Sequence, residues 1–516
     1  MNRSLLLLLS SILLYSCGTN MLSKRDSLSE KAQPSDMFAF QRSYPDPDFD
    51  WQGWRKVMQQ TRTVETAQRR GSGGCGSNLT NWTNQGPMNV AGRCNAMAVK
   101  PGDENTLLAG FSGGGLFKST DGAVNWYPVF DDNPELSIGD IAFAPTNPNL
   151  VFAGTGDPNM PSLVFNGNGI YKSIDAGETW LHLPNGPTGI ISKVLIHPSN
   201  PDIIWAATMG NPYVRDNNRG LYKSTDGGNT WTQVLFESNQ TGASDLVMSV
   251  ANPDILYASF WDRIRNNFES VVYGQNAKVY KSTDGGNTWA QLEGGLPTGV
   301  MGRTGLAISQ TDPNKVYAVY IDSLNTPGGL YKTTNGGTTW TSLNILQLED
   351  ACADFGWYFG KIHVNPTNDE DLYFHGIHLW RKAINGSGWS IAAGGHADSH
   401  DLVFTPSGRR YWSNDGGVYR NDGQQSWTKS KNLPTTQFYR TTYNPHEPDK
   451  YFAGAQDNGI QKGNSLNING WVQLFPADGF SCAFDPADPE HYWVEIQNGT
   501  IHETFDGGDS WQFGNR

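Results

Sequence analysis

The stretch Val279-Tyr280-Lys281-Ser282-Thr283-Asp284-Gly285-Gly286-Asn287-Thr288-Trp289 decides the fold, because it does not stand alone. Gly220-Leu221-Tyr222-Lys223-Ser224-Thr225-Asp226-Gly227-Gly228-Asn229-Thr230-Trp231 repeats it, further copies end at Trp126, Trp180, Trp340 and Trp511, and worn ones end at Trp389, Trp427 and Trp471. These nine tryptophans fall roughly 40 to 58 residues apart, the period of a propeller blade rather than of a helical solenoid. A second phrase precedes each copy: Asp140-Ile141-Ala142-Phe143-Ala144-Pro145, a turn at Asn147-Pro148, then Val151-Phe152-Ala153-Gly154, with counterparts at Pro101, Pro198, Pro253, Pro313, Pro366, Pro406, Pro445 and Pro486. Each unit is a set of four short apolar runs divided by turn residues. Nine units of four antiparallel strands predict an all-β fold, a large β-propeller over residues 80–516. They fit one ring of eight to ten blades or, as second choice, an incomplete two-propeller arrangement. Asn81-Trp82-Thr83-Asn84-Gln85-Gly86-Pro87 reads as an orphan last strand, of the kind that closes a ring by completing its last blade.

The Ser-Thr-Asp-Gly-Gly-x-Thr-Trp phrase is a hairpin turn in physical terms. Its carboxylate accepts backbone N–H groups, its glycines permit positive φ, and its Trp packs between blades. The phrase resembles the Asp-box, or BNR repeat, of sialidases, sortilin-type receptors and xyloglucan-degrading enzymes. That resemblance implies a peripheral, structural place for Asp121, Asp175, Asp226, Asp284 and Asp506, with Asn335 replacing Asp in one copy.

Composition narrows the function. With 37 Lys plus Arg against 50 Asp plus Glu the formal net charge is −13, which disfavours nucleic acid as a partner. The 59 Gly and 28 Pro among 516 residues argue against helical bundles, and 12% aromatic residues argue against disorder. Residues 1–17 combine Arg3, the apolar stretches Leu5 to Leu9 and Ile12 to Leu14, and Ser16-Cys17, and so read as an export signal whose end resembles a bacterial lipobox, with Cys17 the lipidated residue. The expected address is the cell envelope, as an outer-membrane lipoprotein or at the cell surface, with the membrane met through the lipid only. Residues 18–50 form a polar tether, and residues 51–79 a short helical and linker segment with the helix over Trp51 to Gln68. An exported chain permits one or two disulfides among Cys75, Cys94, Cys352 and Cys482, in pairs the spacing does not fix.

Residues that a blade does not need mark the candidate site. The densest departures are Trp357 and Tyr358, then Gly395-His396-Ala397-Asp398-Ser399-His400, Asn414-Asp415-Gly416-Gly417, Gln456-Asp457-Asn458-Gly459, Asp478 and Gln497-Asn498. This ordered series resembles large bacterial exported propellers with a sortilin-type (VPS10-like) domain, often labelled glycosyl hydrolases, over about residues 80 to 516. His396, Asp398 and His400 alternate, so on one strand they would share a face and suit a metal ion or acid–base work. No other cofactor is indicated. Asp415, Gln456, Asp457, Asp478, Gln497 and Asn498 fall where loops gather at a propeller mouth, the expected place for a ligand.

Two functions follow: a surface module that binds a glycan or polypeptide on its central face, and, as the alternative, a glycoside hydrolase of sialidase-like or xyloglucanase-like scaffold. Hydrolysis needs two carboxylates or a Tyr nucleophile with an arginine cluster. Asp398 with Asp415 or Asp457 is the best carboxylate pair, while Arg93 is the only arginine where a sialidase would need one near the start of the repeats. A protease is disfavoured, since neither Gly-x-Ser-x-Gly nor His-Glu-x-x-His occurs.

Overall fold

The computed structural model describes residues 84–514 apart from 162–164, 267, 384–387 and 425, together with Gly53, Lys56, Val57 and Gln60, which are helical. The expected export signal with Cys17, the expected tether, Cys75 and Asn81 to Thr83 lie outside the described residues. Nine four-stranded antiparallel sheets follow one another along the chain. We number them blades 1 to 9: 94–128, 138–182, 190–235, 241–292, 304–343, 361–391, 399–429, 438–475 and 479–513. In every blade the strands pair in chain order, interrupted only by a small hairpin of Ile264–Arg265 with Ser270–Val271 inside blade 4.

Seven of the nine close a ring. The first strand of each blade lies innermost, and the innermost strand of blade 7, Ser399–Phe404, packs against that of blade 1, Cys94–Lys100. Blades 8 and 9 pack on each other outside this ring. The ring of eight to ten blades is therefore not formed, and the alternative, one closed propeller beside part of a second, describes the molecule. Residues 84–87 belong to no sheet; this segment runs along blade 8, where the Trp471 indole N–H donates to the Gln85 carbonyl at 3.2 Å and the Met88 N–H to that of Ile468 at 2.7 Å.

Closure at seven has a specific chemistry. Polar side chains on the innermost strands reach the backbone of the next blade. Asn95 donates to the Ile138 carbonyl at 3.0 Å, Asp140 accepts the Val194 N–H at 2.7 Å, and Ser192 donates to the Ala243 carbonyl at 2.5 Å. Asp245 accepts the Leu306 N–H at 2.9 Å, and Asp401 of blade 7 accepts the Met97 N–H of blade 1 at 2.8 Å, which fastens the last blade to the first. Between blades 5 and 6 the contact is backbone on backbone, since a Cβ on Gly305 would stand 2.3 Å from the Gly360 oxygen. Between the blades the aromatic and aliphatic faces are dry, with Trp205, Trp261 and Trp412 at most 1% exposed. Asp401→Ala should strand the buried Met97 N–H and remove the partner of His363, lowering stability by about 2–3 kcal/mol, read from the denaturant midpoint.

The cysteine expectation is corrected. Cys94, Cys352 and Cys482 are free thiols, and Cys94 and Cys352 are buried in apolar clusters of different blades, where they pack as small hydrophobes.

Candidate functional site

The repeated turns use up their own carboxylates. Asp284 Oδ1 accepts the Ser282 hydroxyl at 2.8 Å and the N–H groups of Asn287 and Thr288 at 3.0 and 2.9 Å, and Oδ2 accepts the Thr288 hydroxyl at 2.6 Å. Asp121, Asp175, Asp226 and Asp506 make closely similar sets, and these hydrogen bonds hold Asp175, Asp226 and Asp506 down at about 2. Asp284→Ala should lower the thermal midpoint by roughly 2–4 °C and leave ligand affinity of the folded protein unchanged.

The non-repeating residues converge elsewhere, where blade 8 meets the ring. Asp415 and Asp457 occupy the same place in consecutive blades, just past the second strands Arg410–Asn414 and Lys450–Ala455. Asp398 immediately precedes the innermost strand of blade 7. Carboxylate oxygens of Asp398, Asp415 and Asp457 lie within 4.8 Å of one another. Asp398 and Asp457 take left-handed backbone, φ 65° and 57°, a conformation Asp tolerates better than most residues. Gly416 lets the loops meet, because a Cβ there would come within 2.5 Å of the His396 Cβ.

Arg93 is the hub beneath the three acids. Its side chain is 4% exposed and pairs with Asp157 at 3.3 Å, Asp415 at 3.3 Å and Asp457 at 3.7 Å, so it ties blades 1, 2, 7 and 8 together. Asp415 also accepts the Tyr358 hydroxyl at 3.2 Å and contacts His400 Nε2. Burial, with the cations Lys361 and Arg93 nearby, drives the His400 pKa well below its ordinary value. Burial, reinforced by the charge of Asp415, pushes Asp398 up to about 8 and Asp457 up to about 7. Asp478 accepts the Asp457 N–H at 2.6 Å and is itself raised, first by burial and then by Asp457. Gln497 hydrogen-bonds Asp478 and extends the line into blade 9.

The site therefore gathers Tyr358, His400, Asp398, Asp415, Asp457, Asp478 and Gln497. Trp357 stands beside it against Tyr358, with the guanidinium groups of Arg263 and Arg265 at 5.3 and 5.9 Å from its ring centre. Gln456 contributes its carbonyl, which accepts Asn458 at 3.1 Å, and Asn498 holds a left-handed turn. The alternation of His396, Asp398 and His400 does not give one face. The strand begins only at Ser399, both ring nitrogens of His396 face backbone carbonyls at 3.1 and 2.9 Å, and His400 turns inward to Asp415. Among the described residues, Asp398, Asp415 and Asp457 are the grouping whose spacing suits a cation, and the Arg93 guanidinium already supplies positive charge to it.

No family model matches the chain. Over 322 residues, 54% of this chain and 35% of the relative, it is 23% identical to the xyloglucanase Xgh74A of Acetivibrio thermocellus. Over 368 residues, 62% of this chain and 42% of the relative, it is 25% identical to an oligoxyloglucan-reducing end-specific xyloglucanase of Emericella nidulans. The chain thus matches well under half the length of these curated relatives. The crystal structure of an ancestral GH74 enzyme superposes with TM-score 0.57 at 16% identity, covering 83% of this chain and 69% of that one, which supports the propeller fold.

Proposed function

We propose that this is an exported glycoside hydrolase whose substrate is a xyloglucan-like polysaccharide, and that the bond is cleaved where blade 8 meets the ring. The observation that carries the reading is the trio Asp398, Asp415 and Asp457, oxygens within 4.8 Å of one another, with burial and Asp415 pushing Asp398 up to about 8 and Asp457 up to about 7. The similarity to xyloglucanases favours hydrolysis over the scaffold reading that the sequence alone put first. Lipidation at Cys17 and a place on the cell surface belong with this proposal, since a soluble polymer must be met outside the cell.

Glycosidic cleavage needs a proton for the leaving oxygen and negative charge beside the sugar as its ring becomes cationic. Asp457, its side chain 28% exposed, gives its proton to the leaving oxygen, water adds to the sugar carbon and releases its own proton to solvent, and Asp415, paired with Arg93 beneath the pocket, supplies negative charge from behind Asp457. Asp398 keeps the pocket acidic, and Tyr358 holds Asp415 in place.

The test is the release of reducing ends from xyloglucan as a function of pH. The rate should fall above about pH 7 as Asp457 loses its proton, and a binding module would release nothing at any pH. Stability should move the same way. The native protein holds protons on Asp398 and Asp457 that the unfolded chain, with ordinary carboxyls, releases near pH 4, so the contribution of these two groups to stability declines between about pH 4 and pH 8, and replacing both by Asn should remove that part of the pH dependence.

A further inference from the structure

The ring has a second polar chamber that the acidic cluster does not use. A cavity of ≈ 330 Å³ runs along its axis, lined by the innermost strands of all seven blades. At the end nearer the acidic cluster it is sealed. Arg303 Nη1 donates to Asn159 Oδ1 and to the Tyr358 carbonyl, both at 3.0 Å, and Asn159 donates to Asn95 at 3.2 Å. All three side chains are nine-tenths or more buried. At the other end the lining runs out to Val250 and Gln310, both exposed, so the chamber opens on the opposite face. Leu195, Met248, Ile308 and Val364 make that half apolar.

The charges inside are unevenly satisfied. Asp140 is held by Lys193 and the Val194 N–H, Asp401 by His363 and the Met97 N–H, and Asp245 accepts the N–H groups of Leu246 and Leu306. The cations on the other wall are less well served. Among the described residues Arg303 hydrogen-bonds through Nη1 alone, with its guanidinium 5.9 Å from the Trp261 ring centre, and Lys361 has a single hydrogen bond, to the His400 carbonyl at 3.2 Å. Burial, with the charges of Arg303 and Lys193, brings the Lys361 amine down to about 8 in spite of Asp401 and Asp245 on the facing wall. A buried Arg whose remaining N–H groups border a cavity is a ready partner for a two-oxygen anion.

We infer that the ring channel is a second ligand site, taking a small organic carboxylate whose oxygens meet Arg303 and Lys361 and whose body lies against Leu195, Met248, Ile308 and Val364. The site is separate from the hydrolytic one and does not depend on that assignment. A uronic acid and an aliphatic carboxylate share the anionic group, and the apolar mouth distinguishes them.

Titration calorimetry of the whole protein with hexanoate, glucuronate and 1-hexanol tests the proposal. Saturable binding of either acid without binding of the alcohol is expected, and which acid binds identifies the source. Lys361→Met should weaken it by about tenfold or more while the thermal midpoint and the circular dichroism spectrum stay close to those of the parent protein, which shows that the variant is folded. No binding of either acid, equal binding of the alcohol, or carboxylate affinity untouched by Lys361→Met would each overturn the assignment.

Discussion

Asp457→Asn is expected to lower kcat on xyloglucan by about 10²–10⁴-fold while polysaccharide binding persists, the loss that follows removal of a positioned general acid. The amide nearly matches the carboxyl in shape and cannot deliver a proton. Asp457 is set apart from the other acids of blade 8 by two features. Burial and Asp415 hold its proton to about pH 7, and a left-handed backbone turn aims it at Asp398 and Asp415. Because the ion pair with Arg93 at 3.7 Å is the longest of the three, its loss should cost little stability. Loss of turnover with an unchanged melting midpoint is the expected pair of results. A drop in turnover matched by loss of folded protein would remove Asp457 from the chemistry.

Arg93→Met should be the most destabilising single change in the molecule, by about 3–5 kcal/mol. Asp157 and Asp415, both almost inaccessible to water, lose their shared counter-ion at once. Solvent cannot replace the guanidinium there. Blade 8 would also lose the contact of Asp457 with Arg93, so proteolysis between 430 and 438 should accelerate before the ring unfolds. Adding Asp157→Asn should restore part of the stability, because one of the stranded charges is then gone. Additive losses in that double variant would show that the two side chains do not act as a pair.

How much of this was legible in the sequence differs between fold and site. The repeat disclosed all nine blades, because each Trp must pack against the neighbouring blade and each turn must bury no unpaired N–H group. The number of blades in the ring was not legible, for it depends on where an innermost strand turns to meet the first one. The signal for that was slight: the Asp of Asp140-Ile141, Asp245-Leu246 and Asp401-Leu402, which reaches the next blade's backbone. Asp398, Asp415 and Asp457 stood out as departures from the repeat, and they do meet. The alternation argument misled at His396 because it assumed a strand where the chain makes a left-handed turn at Asp398. Asp157 was missed, although Gly154-Thr155-Gly156-Asp157 ends the second strand of blade 2 at the same place as Asp415 in blade 7. Arg93 was noticed only as a lone arginine, since a hub that joins four blades has no local signature.

The most direct test is the appearance of new reducing ends in xyloglucan treated at pH 6 with the protein and with its Asp398→Asn/Asp457→Asn double variant. Steady release by the parent protein and none by a folded double variant is the predicted result. Equal release by both, or no release by a parent protein that binds the polymer, would contradict a hydrolytic site between the ring and blade 8.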